Sequence, residues 1–133
     1  MFLGIHRTYF SGKNRIILPK KFRKELGIED KFYLVKGLDG EIWGFSKTEW
    51  LKEAEKRLSV PITEIEGRVQ RRRFFSQAEE CILDNQGRFI INGDLLVGSG
   101  ITNEILLVGA GDHFEIWDPK AWEKVMESLV ISH

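Results

Sequence analysis

Asp84-Asn85-Gln86-Gly87-Arg88-Phe89-Ile90-Ile91-Asn92 is a second writing of Ser11-Gly12-Lys13-Asn14-Arg15-Ile16-Ile17-Leu18-Pro19. Arg88 answers Arg15, Gly87 answers Asn14, and the same spacing of 73 residues carries Gly27 onto Gly100 and Ile28 onto Ile101. The spacing falls to 72 further on, where Trp117 stands for Phe45, Asp118 for Ser46 and Trp122 for Trp50. A correspondence that survives a one-residue deletion marks a tandem duplication. Stacked arrays need about three or more repeats to bury their faces. Two copies therefore imply a pseudo-symmetric body rather than a solenoid.

Each copy carries the same order of local signals. Asn14 and Gly87 both tolerate the left-handed backbone of a tight turn. The aliphatic run at 15–18 reads as a strand. Pro19 suits the first position of a short helix that stops at Gly27, with Phe22 and Leu26 on one face. Strands are expected at 32–35 and 41–45, joined through a turn at 37–40 where Asp39-Gly40 is a strong hairpin signal. The second copy repeats this at 105–108 and 114–117 around a turn at 109–112. Ser46-Lys47-Thr48-Glu49 is a capping box, followed by Trp50, Leu51, Ala54 and Leu58 on one helical face. Asp118 and Pro119 open a matching helix, striped with Trp122, Val125, Met126 and Leu129. Between the copies Pro61 breaks the pattern. Thr63-Glu64-Ile65-Glu66 is a second capping box, from which a linking helix runs through Val69 toward Phe74.

The chain has 133 residues, 42% of them hydrophobic and 30% charged, with 20 Lys and Arg balancing 20 Asp and Glu. That suits one compact domain or two subdomains sharing a core. The neutral sum hides a dipole. Residues 6–24 hold Arg7, Lys13, Arg15, Lys20, Lys21, Arg23 and Lys24 with no acidic side chain, whereas residues 81–133 hold three basic and eight acidic ones. The first copy thus projects a positive field that the overall balance conceals.

Catalytic signals are missing. His6, His113 and His133 are scattered, with one cysteine and no metal-ligand spacing, so no metal or cofactor is expected. Gly98-Ser99-Gly100 and Gly109-Ala110-Gly111 are too short for a dinucleotide fingerprint and fall at turns. Asp112-His113 beside Glu115 reads as hairpin-turn chemistry in preference to an acid–base pair. Cys81, between apolar neighbours, reads as a buried, inert thiol and excludes an intramolecular disulfide framework. No run approaches the roughly 18 apolar residues of a membrane span, and the N-terminus has no secretory pattern. A cytoplasmic non-enzyme without a small-molecule substrate is expected.

The basic stretch is the functional lead. Phosphate contacts need Lys or Arg on a rigid surface, and the arginine fork can address guanine O6 and N7 together. Arg15, at a turn-to-strand boundary, is the expected base reader, with Lys13, Arg7, Lys20 and Arg23 as further DNA contacts. Arg71-Arg72-Arg73 point in three directions on one helix, so structural or inter-subunit roles compete with DNA contact there.

These residues together resemble the MraZ family of bacterial transcriptional regulators, built from two AbrB-like swapped-hairpin units. The resemblance covers almost the whole chain. It is strongest from Arg73-Phe74-Phe75 and Ala78 through Asp84-Asn85-Gln86-Gly87-Arg88 to Leu107-Val108-Gly109 and Phe114-Glu115-Ile116-Trp117-Asp118; Met1-Phe2-Leu3-Gly4 and Lys13-x-Arg15 to Pro19 also match.

The resemblance implies an α+β fold in which tandem units form a pseudo-symmetric, barrel-like body with flanking helices. The first repeat would span 5–47, a helical connection 48–75, the second repeat 76–119 and a C-terminal helix 120–133. It also implies a nucleoid-associated repressor, binding double-stranded DNA upstream of the division and cell-wall gene cluster as a ring-shaped homo-oligomer on direct repeats. The family's Asp-x-x-x-Arg turn is complete in Asp84 and Arg88, with Gly87 and Asn14 at the matched turn positions. In the first copy Ser11 replaces the aspartate, and in the second Asn92 and Leu96 stand for the residues matching Pro19 and Arg23. Losing the carboxylate at position 11 removes a partner for Arg15 and leaves it either freer or less well aimed. Two other readings stay open: another AbrB-like regulator such as an antitoxin, and a protein-interaction scaffold whose basic stretch meets an acidic partner.

Overall fold

The computed structural model describes residues 1–131, with side chains through Leu129. In chain order the elements are β1 (Ile5–Tyr9), β2 (Arg15–Ile17), α1 (Lys20–Arg23), β3 (Lys31–Lys36), β4 (Ile42–Ser46), α2 (Lys47–Leu58), α3 (Ile65–Phe75), β5 (Glu79–Ile82), β6 (Arg88–Ile90), α4 (Gly93–Leu96), β7 (Glu104–Gly109), β8 (Phe114–Trp117) and α5 (Pro119–Ile131). The fold is α+β. Six strands form an antiparallel sheet in the order β1-β7-β8-β4-β3-β5, and β2 pairs with β6 in a separate two-stranded ribbon.

That strand order reads the same from either end once the repeats are exchanged. β1 of the first repeat pairs with β7 of the second, from Ile5–Val108 to Tyr9–Glu104. Reciprocally, β5 of the second pairs with β3 of the first, from Lys31–Ile82 to Leu34–Glu79. The dyad runs between β4 and β8, where Trp43 faces its counterpart Glu115, and through the ribbon, where Ile16 faces its counterpart Phe89. Neither repeat can complete its sheet alone. β1 and β5 were not anticipated from sequence. Ile5, Arg7 and Tyr9 are all exposed, and β5 opens on Glu79-Glu80, so neither shows an apolar alternation. Their strand state comes from partners in the other repeat.

One face of the sheet meets the ribbon and the short helices across a core drawn from both repeats. Ile16, Phe22, Phe32, Phe114 and Ile116 are fully buried there. Each such aromatic contributes about 3–5 kcal/mol against truncation to Ala. The other face has two smaller clusters: Val35, Phe45 and Phe74 under α2 and α3, and Leu106, Val108 and Trp117 under α5. Period-two alternation along β7, with Ile105 and Leu107 inward and Leu106 and Val108 outward, is why its residues read as one continuous apolar run.

The helix signals mostly hold. Ser46 caps α2, its Oγ accepting from the Glu49 N–H at 3.4 Å, and Asp118 Oδ2 accepts from the Ala121 N–H at 3.2 Å. The second capping box does not form: α3 starts at Ile65 after Glu64, without a side-chain cap. Gly67 instead lets the helix start press against the Pro61 carbonyl, where a Cβ would collide. The apolar faces are also narrower than expected. Leu51 is 53% and Leu58 49% exposed on α2; the packing falls to Trp50, stacked on Tyr33 and Phe74, and to Arg57 over the Phe74 ring. On α5 Ala121, Trp122 and Val125 pack while Met126 is exposed. Pro19 lies one residue before α1, and a 3-10 turn (Lys24–Leu26) continues it to Gly27, whose φ is +83°. Residues 132 and 133, including His133 and the end of the expected C-terminal helix, lie outside the described residues.

Candidate nucleic-acid interface

The ribbon carries the turn motifs of both repeats. Its register pairs Arg15 with Ile90, Ile16 with Phe89 and Ile17 with Arg88. Ile16 and Phe89 point into the core, so strand alternation puts Arg15, Ile17, Arg88 and Ile90 together on the outer face. The dyad makes Arg15 and Arg88 equivalent, on a diagonal about 7–8 Å apart by strand geometry. Backbone bonds close the ribbon at both ends, each crossing between repeats: Leu18 N–H donates to Gly87 O and Ile91 N–H to Asn14 O, both at 2.9 Å. Asn14 (φ +57°) and Gly87 (φ +78°) supply the left-handed residue in the two turns.

The two arginines are held differently. Asp84 Oδ1 accepts the Gln86 and Arg88 backbone N–H groups at 2.9 Å, and its Oδ2 accepts from Arg88 Nε at 2.8 Å. The Arg88 backbone N–H foremost, with its guanidinium and the Gln86 N–H, keeps the Asp84 carboxyl below the usual range. The Nε bond fixes the guanidinium plane and leaves its two terminal nitrogens to point outward. Ser11 makes the matching backbone bond, Ser11 N–H to Arg15 O at 2.9 Å, but offers no carboxylate. Among the described residues the Arg15 guanidinium has no hydrogen-bond or ion-pair partner.

The other expected contacts are held in different ways, Lys20 and Arg23 lining one shallow cleft with Lys24 and Asp30. Lys13 is exposed in the first turn and Lys20 at the start of α1. Arg23 leans onto the second repeat's turn: a Cβ at Gly87 would lie 2.5 Å from its Nη1 and 2.9 Å from its Cδ. Arg7, on the edge strand β1, is ion-paired with Glu104 of β7. Among the arginines of α3, Arg71 has a structural role, its Nη2 donating to Leu58 O (3.3 Å) and Val60 O (3.1 Å) at the end of α2. Sequence reasoning missed the exposed Ile17 and Ile90 on the ribbon face; the alternation in Arg15-Ile16-Ile17 was the signal that could have found them.

The other titratable features lie elsewhere. His113 sits between Asp112 and Glu115, with Nδ1 2.8 Å from Asp112 Oδ1 and Nε2 2.8 Å from Glu115 Oε2. It does so inside a hairpin turn closed by Ala110 N–H to His113 O. The Asp112-His113-Glu115 contact is therefore present as hydrogen bonds within that turn. Burial pushes the Cys81 thiol up to about 12, helped by Glu79 and Glu80. Among the described residues no cluster of His, Cys, Asp and Glu could hold a metal, and no helix is long and apolar enough to cross a membrane.

Comparison with known proteins agrees with the repeat structure. A family described as "MraZ protein, putative antitoxin-like" matches twice, over residues 1–73 and 74–132. A transcriptional regulator MraZ of Clostridium acetobutylicum is 41% identical over 130 residues, covering 98% of this chain and 90% of its own length. Its namesake in Caldicellulosiruptor bescii is 41% identical over 132 residues, 99% of this chain and 91% of that protein. That of Halothermothrix orenii is 38% identical over 133 residues, 100% and 92% respectively. Two matches in tandem, meeting at residues 73 and 74 in the last turn of α3, place the chain in the MraZ family.

Proposed function

We propose that this chain is a transcriptional regulator that binds double-stranded DNA sequence-specifically through the β2–β6 ribbon. The observation that carries the reading is the pair of dyad-related arginines on the outer ribbon face, Arg88 aimed by Asp84 and Arg15 left without a protein acceptor. A two-stranded ribbon fits the major groove, where an arginine fork matches guanine O6 and N7. Lys13 and Lys20 supply phosphate contacts, and Arg23 braces the second turn. Arg7 joins them where DNA phosphate displaces Glu104. The relatives' name, that of a regulator and not of an enzyme, supports the same reading.

The finer parts rest on family resemblance. The exchange of β1 and β5 between the halves supports two AbrB-like swapped-hairpin units around a barrel-like core, with repeats at 5–47 and 76–119, a helical connection at 48–75 and a C-terminal helix at 120–133. The protein then acts in the cytoplasm at the nucleoid, on the division and cell-wall gene cluster, as a ring-shaped homo-oligomer over direct repeats. One protomer offers few phosphate contacts, and a ring multiplies them through effective concentration. The second repeat is woven through the shared sheet, which favours DNA binding over an antitoxin whose second half waits for a toxin. Duplex binding measured across salt, with mass by light scattering, tests this: a steep salt slope and a closed oligomer support it. A monomer indifferent to salt overturns it in favour of a scaffold.

A further inference from the structure

Three exposed isoleucines flank the ribbon's arginines without serving the core: Ile90 (64%) and Ile17 (45%) on the ribbon itself, and Ile82 (61%) at the end of β5 beside it. Ile90 and Ile82 line a shallow cleft of about 300 Å³ whose other walls are Arg15, Asp84, Arg88 and Phe89. The flanking hydrogen bonds at Asn14–Ile91 and Leu18–Gly87 make Arg15–Ile90 and Ile17–Arg88 non-hydrogen-bonded pairs. In such pairs side chains approach most closely, with Cβ atoms about 4.5–5.5 Å apart. Each arginine therefore has an isoleucine beside it, and the dyad repeats the arrangement.

We propose that Ile90 and Ile82, with Ile17 across the dyad, form an apolar reader that seats the C5-methyl group of a thymine next to a guanine addressed by Arg15 or Arg88. The inference rests on the DNA-binding reading above. The major groove offers guanine's two acceptors and the thymine methyl as separate features, and an apolar side chain is the complement of the second. The spacing agrees. Cross-strand neighbours about 5 Å apart reach adjacent base pairs, which rise about 3.4 Å, and the arginine diagonal spans about two steps. Whatever covers this face must bring acceptors for the Arg15 guanidinium, which has none within the chain. Duplex DNA supplies acceptors and methyl groups together.

Selection from a random duplex library by the full-length protein, beside the Ile17→Ser/Ile82→Ser/Ile90→Ser variant, tests the proposal whatever the operator sequence is. All three side chains are exposed, and unchanged thermal unfolding confirms that the variant folds. The wild type should enrich guanine with thymine one step away, and the variant should keep the guanine and lose the thymine. Uracil in place of that thymine should weaken wild-type binding about fourfold, the effect of one buried methyl-sized group, and should leave the variant unaffected. Enrichment of guanine alone, or a thymine preference unchanged in the variant, overturns the apolar reader and leaves DNA recognition standing. No enrichment of any sequence overturns both.

Discussion

Gly87 is where the turn chemistry and the exchange between repeats meet, and Gly87→Ala tests both. At φ +78° a residue with a Cβ is destabilised by roughly 1–2 kcal/mol. That Cβ would also lie 2.5 Å from Arg23 Nη1, 2.7 Å from Cζ and 2.9 Å from Cδ, so the arginine must leave the turn, at a cost of about 1 kcal/mol for overpacking. The sum is about 2–3 kcal/mol. At about 2.1 cal/mol/K per residue over 133 residues, this lowers Tm by roughly 7–11 °C. The assay is thermal unfolding by circular dichroism at fixed protein concentration. Gly87→Asn should lose less, because Asn14 already occupies the equivalent place at φ +57°. Adding Arg23→Leu should restore much of the remainder: it removes the side chain that a Cβ at position 87 meets and puts there the residue type of Leu96, the counterpart of Arg23 in the second repeat. A Gly87→Ala protein melting within about 2 °C of wild type would refute the left-handed turn. A Gly87→Asn protein no better with Arg23→Leu would refute the Arg23 contact.

Arg71→Ala removes the donor that serves two carbonyls at the end of α2 and should destabilise by about 1–2 kcal/mol, read by urea unfolding, with DNA affinity unchanged. His113 titrates above its ordinary 6.5: burial opposes this, but hydrogen bonds to Glu115 and Asp112 outweigh it. Its stabilisation is full below pH 6.5 and is lost as pH rises through the folded value. Glu115 is held below 4.5 by His113 and Trp117 against its own burial, so its share is present above 4.5 and lost as pH falls through its lowered value. The Tm difference between wild type and His113→Gln should therefore be largest between these limits and shrink toward alkaline pH; a constant difference would contradict the pairing. Cys81, buried and raised to about 12, should react with an aromatic disulfide reagent only on unfolding, and rapid native labelling would show the thiol to be open.

The duplication, hairpins and helix starts were legible in the sequence because each rests on local chemistry: Asp39-Gly40, Ser46 and Asp118 act within a few residues of themselves. The exchange of β1 and β5 was not. Their pairing is decided by strands of the other repeat, far along the chain, and neither strand advertises a buried face. The same limit applied to the site. The matched turn positions of Arg15 and Arg88, and the missing carboxylate at Ser11, were readable from one turn compared with the other. Chain proximity, however, grouped Arg23 with Lys13 and Arg15, whereas the fold carries Arg23 onto the opposite repeat's turn. Thr63 looked like a cap because sequence cannot show that Gly67 lets the chain press against Pro61.

The most direct test of the ribbon as the DNA reader is equilibrium binding of the full-length protein to a labelled duplex from upstream of its own gene and to a scrambled duplex, in a salt titration with Arg15→Ala and Arg88→Ala alongside. The account predicts tight, salt-sensitive binding that prefers the native duplex. Each variant should lose about 1–3 kcal/mol of that preference while keeping most of its affinity for the scrambled duplex. Equal binding to both duplexes, unchanged by either substitution, would contradict it.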